Sequence, residues 1–212
     1  MTRPDIVLAI TPTCPHCPNV MQSLNELVKQ GELASIQVIN IAVDTEFAQD
    51  NQIRSVPWLK IGPFVLTGVL SKQAMLDWIK KSRSDAGTID YLIETLSSGE
   101  LDAAIQMVQQ RPEAIDDFPG LIANDETNIN VRLGIGAIIE TLDDQTILQR
   151  LLPGLMQLLQ HPQARVRGDA AHFLSFIQTR ESIKALEQLK HDPDADVRDI
   201  VAETLETLMA LE

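Results

Sequence analysis

Cys14 and Cys17 are the only two cysteines among 212 residues, and Pro15 and His16 lie between them. A vicinal pair at this spacing can close a small disulfide ring and exchange two electrons with another disulfide. It can also supply half of a structural zinc site, which needs four ligands. Beyond the cysteines the histidines are His16, His161, His172 and His191, the last three more than a hundred residues downstream; no metal is expected. Two elements must position the pair. Ile6-Val7-Leu8-Ala9-Ile10 is apolar and β-prone, as a buried strand should be. After the pair, Val20, Leu24, Leu27 and Val28 fall on one face of a helix. The dithiol therefore sits at a strand-to-helix turn, where unpaired N–H groups and the positive end of the helix dipole favour the thiolate of the first cysteine.

Pro57 follows Cys14 by 43 positions, within Ser55-Val56-Pro57-Trp58, and Leu59-Lys60-Ile61 continues as a strand. Cys-Pro-His-Cys, strand, helix and downstream Val-Pro together resemble the thioredoxin superfamily, particularly glutaredoxin-like domains of dithiol oxidoreductases. The resemblance extends to about residue 83. It implies a cis bond at Pro57, inexpensive only before proline, and a Val56 backbone that pairs with an extended substrate segment. Read this way, the chain runs strand 5–10, helix 15–30, strand 36–41, a short helix near 46–53, and a hairpin of 58–61 and 64–67 across Gly62-Pro63. Ser71 then caps a helix whose inward face is Ala74, Met75, Trp78 and Ile79. Trp58 is expected in the core.

Cys14, nearer the exposed end of the turn, is the expected attacking thiolate, and Cys17 the resolving thiol. Pro15 and His16 are the expected tuning residues: a charged His16 favours the thiolate and makes the couple a better oxidant. One departure stands out. Thioredoxins proper keep a buried acid six residues before the first cysteine, and this chain has Leu8 there. Proton handling for Cys17 must come from elsewhere.

Residues 1–84 carry 8 Lys+Arg against 7 Asp+Glu, a net of +1, whereas residues 85–212 carry 9 against 23, a net of −14. The acidic half argues against nucleic acid or an anionic membrane as partner. No apolar run approaches the ~20 residues of a membrane span, and the start of the chain has no signal-peptide pattern. A cytoplasmic location is expected, where a lone vicinal dithiol is catalytic or redox-sensing more often than structural.

Past the polar stretch Ser82–Thr88, a linker or capped helix start, the pattern is helical throughout. Three segments align without gaps: Asn128–Leu133, Gln163–Gly168 and Asp194–Asp199. Each carries a Val-Arg pair, Val131-Arg132, Val166-Arg167 and Val197-Arg198, at intervals of 35 and 31 residues. The apolar residues after each pair keep the same phase, and Pro162 and Pro193 mark turns before two of them. This resembles HEAT repeats, which stack helix pairs. The resemblance implies a buried valine and an arginine that bonds a neighbouring repeat's carboxylate or carbonyls, holding the units in register. First helices are expected near 145–160 and 180–191. Weaker helices are expected over 88–98, 100–110 and 119–124, broken by Pro112 and Pro119. His161 and His191 read as cations at helix C-termini, and His172 as a core residue.

The expected architecture is thus an α/β thioredoxin-like domain over 1–84 and an all-α HEAT-like domain over 85–212, with clear repeats from about 125. The expected function is cofactor-free thiol–disulfide exchange by Cys14 and Cys17 on a protein or small-molecule disulfide, with a protein partner on the helical array. The alternative is a redox-sensing adaptor or assembly factor in which the array dominates and the dithiol does not turn over. A thiol carrier for sulfur metabolism would use Cys14 as well.

Overall fold

The computed structural model describes residues 4–84 and 86–209. The chain divides into two compact units, residues 1–91 and 92–212.

The first unit is built on a four-stranded mixed sheet of order β2-β1-β3-β4, from β1 (Ile6–Ile10), β2 (Gln37–Asn40), β3 (Trp58–Ile61) and β4 (Phe64–Thr67). β1 pairs parallel with β2, Leu8 opposite Val38, and antiparallel with β3, Leu8 opposite Leu59. Central position explains the apolar run of β1: Ile6, Leu8 and Ala9 are all buried. Gly62, at φ +57°, makes the tight β3–β4 turn in a left-handed conformation that glycine takes at little cost. Helix α1 (Cys17–Lys29) buries Val20, Leu24 and Leu27. Val28, expected on that face, is only half-buried. The short α2 (Thr45–Asp50) brings Phe47 edge-on to Trp58, with ring centroids 6.0 Å apart. In α3 (Lys72–Lys81) the Ser71 hydroxyl accepts the Ala74 N–H, and Met75, Trp78 and Ile79 face inward. Lys72 of α3 meets Glu26 of α1 at 2.7 Å.

Of the two readings of Ser82–Thr88, a helix start is the one observed, at Ala86. Ser82 ends α3, and α4 (Ala86–Ser97) begins four residues later. Gly87 lies so close to the end of α3 that a Cβ there would sit 2.2 Å from the Lys81 carbonyl oxygen. Tyr91 stacks on Phe64 at 5.1 Å, packs edge-on to Trp78, and donates its hydroxyl to the Val65 carbonyl. The first turns of α4 thereby belong to the core of the first unit, and the division falls within α4, not at 84/85. Asp85 and residues 1–3 and 210–212, which the sequence reading covered, lie outside the described residues.

The second unit is helical throughout its described residues: the end of α4, then α5 (Leu101–Gln110), α6 (Phe118–Ala123), α7 (Ile129–Thr141), α8 (Gln145–Leu148), α9 (Leu152–Leu158), α10 (Ala164–Leu174), α11 (Arg180–Gln188) and α12 (Ala195–Met209). Short 3₁₀ turns occupy Pro112–Asp117, Gln149–Leu151 and Leu189–His191. Helices α6, α9 and α11 neighbour one another in one layer, and α10 lies between α7 and α12 in the other. Pro119 marks the start of its helix, close to the expected span 119–124. It sits in the first turn of α6, where a missing N–H costs little. Its ring packs where Gly154 of α9 has no side chain: a Cβ at Gly154 would be 2.4 Å from Pro119. Val131, Val166 and Val197 are each at most 1% exposed.

Candidate functional site

The dithiol lies where β1 hands the chain to α1. Cys14 N–H bonds back to the Thr11 carbonyl, and the His16 carbonyl accepts from Asn19 and Val20 as α1 begins. His16 is the N-cap residue, exposed, with its imidazole making no capping bond. Cys14 and Cys17 are joined as a disulfide, their Cα atoms 5.6 Å apart. The free N–H of Cys17 donates to Cys14 Sγ at 3.1 Å. A backbone donor aimed at sulfur from a helix N-terminus favours the thiolate once the disulfide is reduced. The two cysteines differ in access: Cys17 is 3% exposed, and Cys14 is half-buried.

The second half of the site arrives from the sheet. β3 pairs with β1, so the loop ahead of β3 returns beside the dithiol. The Val56 carbonyl oxygen stands 3.8 Å from Cys14 Sγ, and the Val56–Pro57 bond is cis. Pro57 is buried, and its carbonyl accepts the Gly68 N–H at 2.9 Å, tying this loop to the end of β4. That tie has no sequence signal except the Gly68 that follows the strand. Trp58 is 3% exposed and belongs to the core. Leu8 is fully buried in β1, so no carboxylate stands at its position. Pro15, His16 and the two cysteines are thus contiguous by sequence, whereas Val56 and Pro57 are brought to them by strand pairing.

In the second unit the three Val-Arg pairs behave differently. Arg167 is held from four directions: Nε and Nη2 donate to the two Asp192 carboxylate oxygens at 2.8 and 2.7 Å, and Nη1 donates to the His161 and Pro162 carbonyls. Both side chains are nearly buried, 11% and 5% exposed. The Arg167 guanidinium holds the Asp192 carboxyl below its usual range, aided by the Asp194 N–H. Arg198 Nη1 caps the Asp192 and Pro193 carbonyls. Arg132 departs from the expected pattern, because its buried Nε has no hydrogen-bond partner among the described residues. The proline turn that offers carbonyls to Arg167 and Arg198 is missing before Asn128. Asp125, three residues before Asn128, is engaged by Gln163 and, at 3.0 Å, by Arg165, which lower its pKa. Sequence reading missed Asp192 as the central acceptor, although Asp192-Pro193-Asp194 was legible as a turn.

The Gln163 N–H donates to His161 Nδ1 within the turn before α10. One histidine differs from expectation. His172 is not a core residue: its side chain is 49% exposed and lies 3.4 Å from Glu140.

Comparison with known proteins agrees with these geometries. Residues 5–80 match the thioredoxin domain family, and residues 118–206 match the HEAT repeat family. The chain joins a thioredoxin domain to a HEAT-repeat region. A thioredoxin of Methanocaldococcus jannaschii is 29% identical over 83 residues, which cover 38% of this chain and 98% of that protein. Among the described residues no cluster of metal-ligating side chains occurs, and no helix is long and apolar enough to cross a membrane.

Proposed function

We propose that this chain is a cytoplasmic thiol–disulfide oxidoreductase whose HEAT repeats bind a protein partner. The observation that carries the reading is the sulfur of half-buried Cys14, which receives the Cys17 N–H at the start of α1 and lies 3.8 Å from the Val56 carbonyl. In the reducing direction the Cys14 thiolate attacks one sulfur of a substrate disulfide. A mixed disulfide forms, and the departing thiolate takes up a proton. The Cys17 thiolate then attacks Cys14 Sγ, releasing the second substrate thiol and leaving the Cys14–Cys17 disulfide. The substrate gains two electrons and the dithiol loses them. Running the same steps backwards oxidises a substrate dithiol, and a second dithiol or disulfide compound resets the pair. Val56 supplies backbone to an extended substrate, Pro57 fixes that loop, and Pro15 and His16 set the balance between thiolate and disulfide. No cofactor beyond the cysteines enters these steps.

A second reading has its own support. Leu8 leaves Cys17 without the neighbouring carboxylate that would take its proton, which favours a slow pair that reports redox state to an adaptor built on the HEAT repeats. One experiment separates the two: measure the reduction potential of the Cys14–Cys17 couple together with turnover on a small-molecule disulfide. Multiple turnovers support the oxidoreductase. A couple that equilibrates with glutathione but does not turn over supports the sensor.

A further inference from the structure

The acidity of the second unit is not spread evenly. Helix α11 and the 3₁₀ turn after it carry Arg180, Lys184 and Lys190 beside Glu181 and Glu187, a mixed surface. The opposite layer, α7, α10 and α12, encloses a groove of about 800 Å³ whose lining includes Glu140, Asp143, Asp169 and Glu203 but neither lysine nor arginine. Asp169 is engaged by Arg165 at 3.0 Å and Glu140 faces His172. Asp143 and Glu203 have no ion pair among the described residues. The groove is not purely polar, since Leu142, Leu148, Phe176 and Ile200 also line it.

A second depression of about 470 Å³ continues from it, sharing Glu140, Asp169 and His172; Arg132 and Arg165 line it too, Arg165 being engaged by Asp125 and Asp169. Its outer wall carries Ile129 and Leu133, one helical turn apart on α7, and they remain 57% and 65% exposed. Ile129 and Leu133 are neighbours on one helix face, and contiguous rather than scattered exposed apolar surface is what marks an interaction site. The face is therefore bipartite, aliphatic toward the start of α7 and anionic toward α12.

We propose that this face of α7, α10 and α12 docks a protein segment that carries apolar anchors followed by lysines or arginines. The proposal deepens the partner half of the preceding function and rests on it only there. Charge complementarity selects the occupant: unengaged carboxylates above an apolar floor attract cations and reject acidic chains. A second copy of this chain is disfavoured, because its own second unit is strongly acidic and its first unit is nearly neutral. Apolar anchors seat against Ile129 and Leu133, while the basic end lies over Asp143 and Glu203.

The test uses the full chain and three fluorescent peptides of equal length: one with Leu/Phe anchors followed by Lys/Arg, one with the same charge but serine in place of the anchors, and one with glutamate in place of the basic residues. Fluorescence anisotropy should show tightest binding to the first, with the other two weaker by about tenfold or more, equivalent to about 1.4 kcal/mol. Asp143→Lys with Glu203→Lys should weaken the first peptide by a similar factor. Asp143→Asn with Glu203→Gln, a gentler pair, should weaken it less and guards against misfolding of the reversal. Equal binding of the serine peptide would reduce the face to a nonspecific anionic surface and overturn the proposal. So would no binding by any peptide, variants without effect, or self-association abolished by the lysine pair. Disulfide turnover, measured on the same samples, should be unchanged in every variant. Its loss in the unsubstituted protein would count against the oxidoreductase, not against the groove.

Discussion

The two units use sequence in opposite ways. The first concentrates its chemistry in four contiguous residues, Cys14 to Cys17, and completes it with one loop, Val56–Pro57, that arrives through strand pairing 3.8 Å from Cys14. The second places its Val-Arg pairs at repeat intervals, where Arg167 and Arg198 each bond the carbonyls of a proline turn, and its proposed function belongs to a face. A compact site fails when one atom is lost. A repeat array loses stability in increments, because each unit leans only on its neighbours. Variants that separate local loss from distributed loss test this contrast.

The largest effect should come from the cysteines. Cys14→Ser should abolish disulfide exchange, and Cys17→Ser should retain the first step and accumulate a mixed disulfide, visible as a mass increase reversed by reductant. Wild-type activity in Cys14→Ser with loss in Cys17→Ser would reverse the roles. In both variants the helical unit should unfold as in the wild type.

The second effect belongs to the repeats. Asp192→Asn leaves Arg167 nearly buried without its carboxylate, and breaking such a pair costs on the order of 3 kcal/mol. Arg132→Met should cost much less, since Arg132 Nε has no partner to lose. Urea unfolding followed by helical circular dichroism distinguishes the two, and equal losses would refute the assignment of Arg167 as the principal tie.

The Arg167–Asp192 pair also sets a pH dependence. Its folded pKa is depressed, so its stabilisation is present above the unfolded aspartate value and is lost as pH falls toward the folded value. The melting temperatures of wild type and Asp192→Asn should therefore differ most near neutrality and converge only below about pH 3.9. A gap that persists unchanged in acid would place the stabilisation elsewhere.

A smaller effect is expected at His16. Replacing it by glycine should move the couple to a more negative potential by tens of millivolts, each ~30 mV being about 1.4 kcal/mol. The imidazole makes no capping bond, so fold stability should barely change. An unchanged potential would assign the tuning to the start of α1 alone.

Local pattern determined much of this protein. The strand before Cys14, the Ser71 cap, the hairpin across Gly62 and the starts of α7, α10 and α12 all depend on neighbours within a few residues, where periodicity, turn chemistry and capping operate directly. Val131, Val166 and Val197 were legible as core for the same reason. Tertiary structure decided what depends on atoms distant in sequence. Tyr91 carries the first turns of α4 into the first core because its ring fits Phe64 and its hydroxyl reaches Val65. Asp192 became the partner of Arg167, and the Arg132 Nε was left without a hydrogen bond, because partners are fixed by the carboxylates and carbonyls that the neighbouring turn presents in space. His172 lies on an apolar helix yet faces a groove, since burial depends on which neighbouring helix covers a face, and no residue near it in sequence records that.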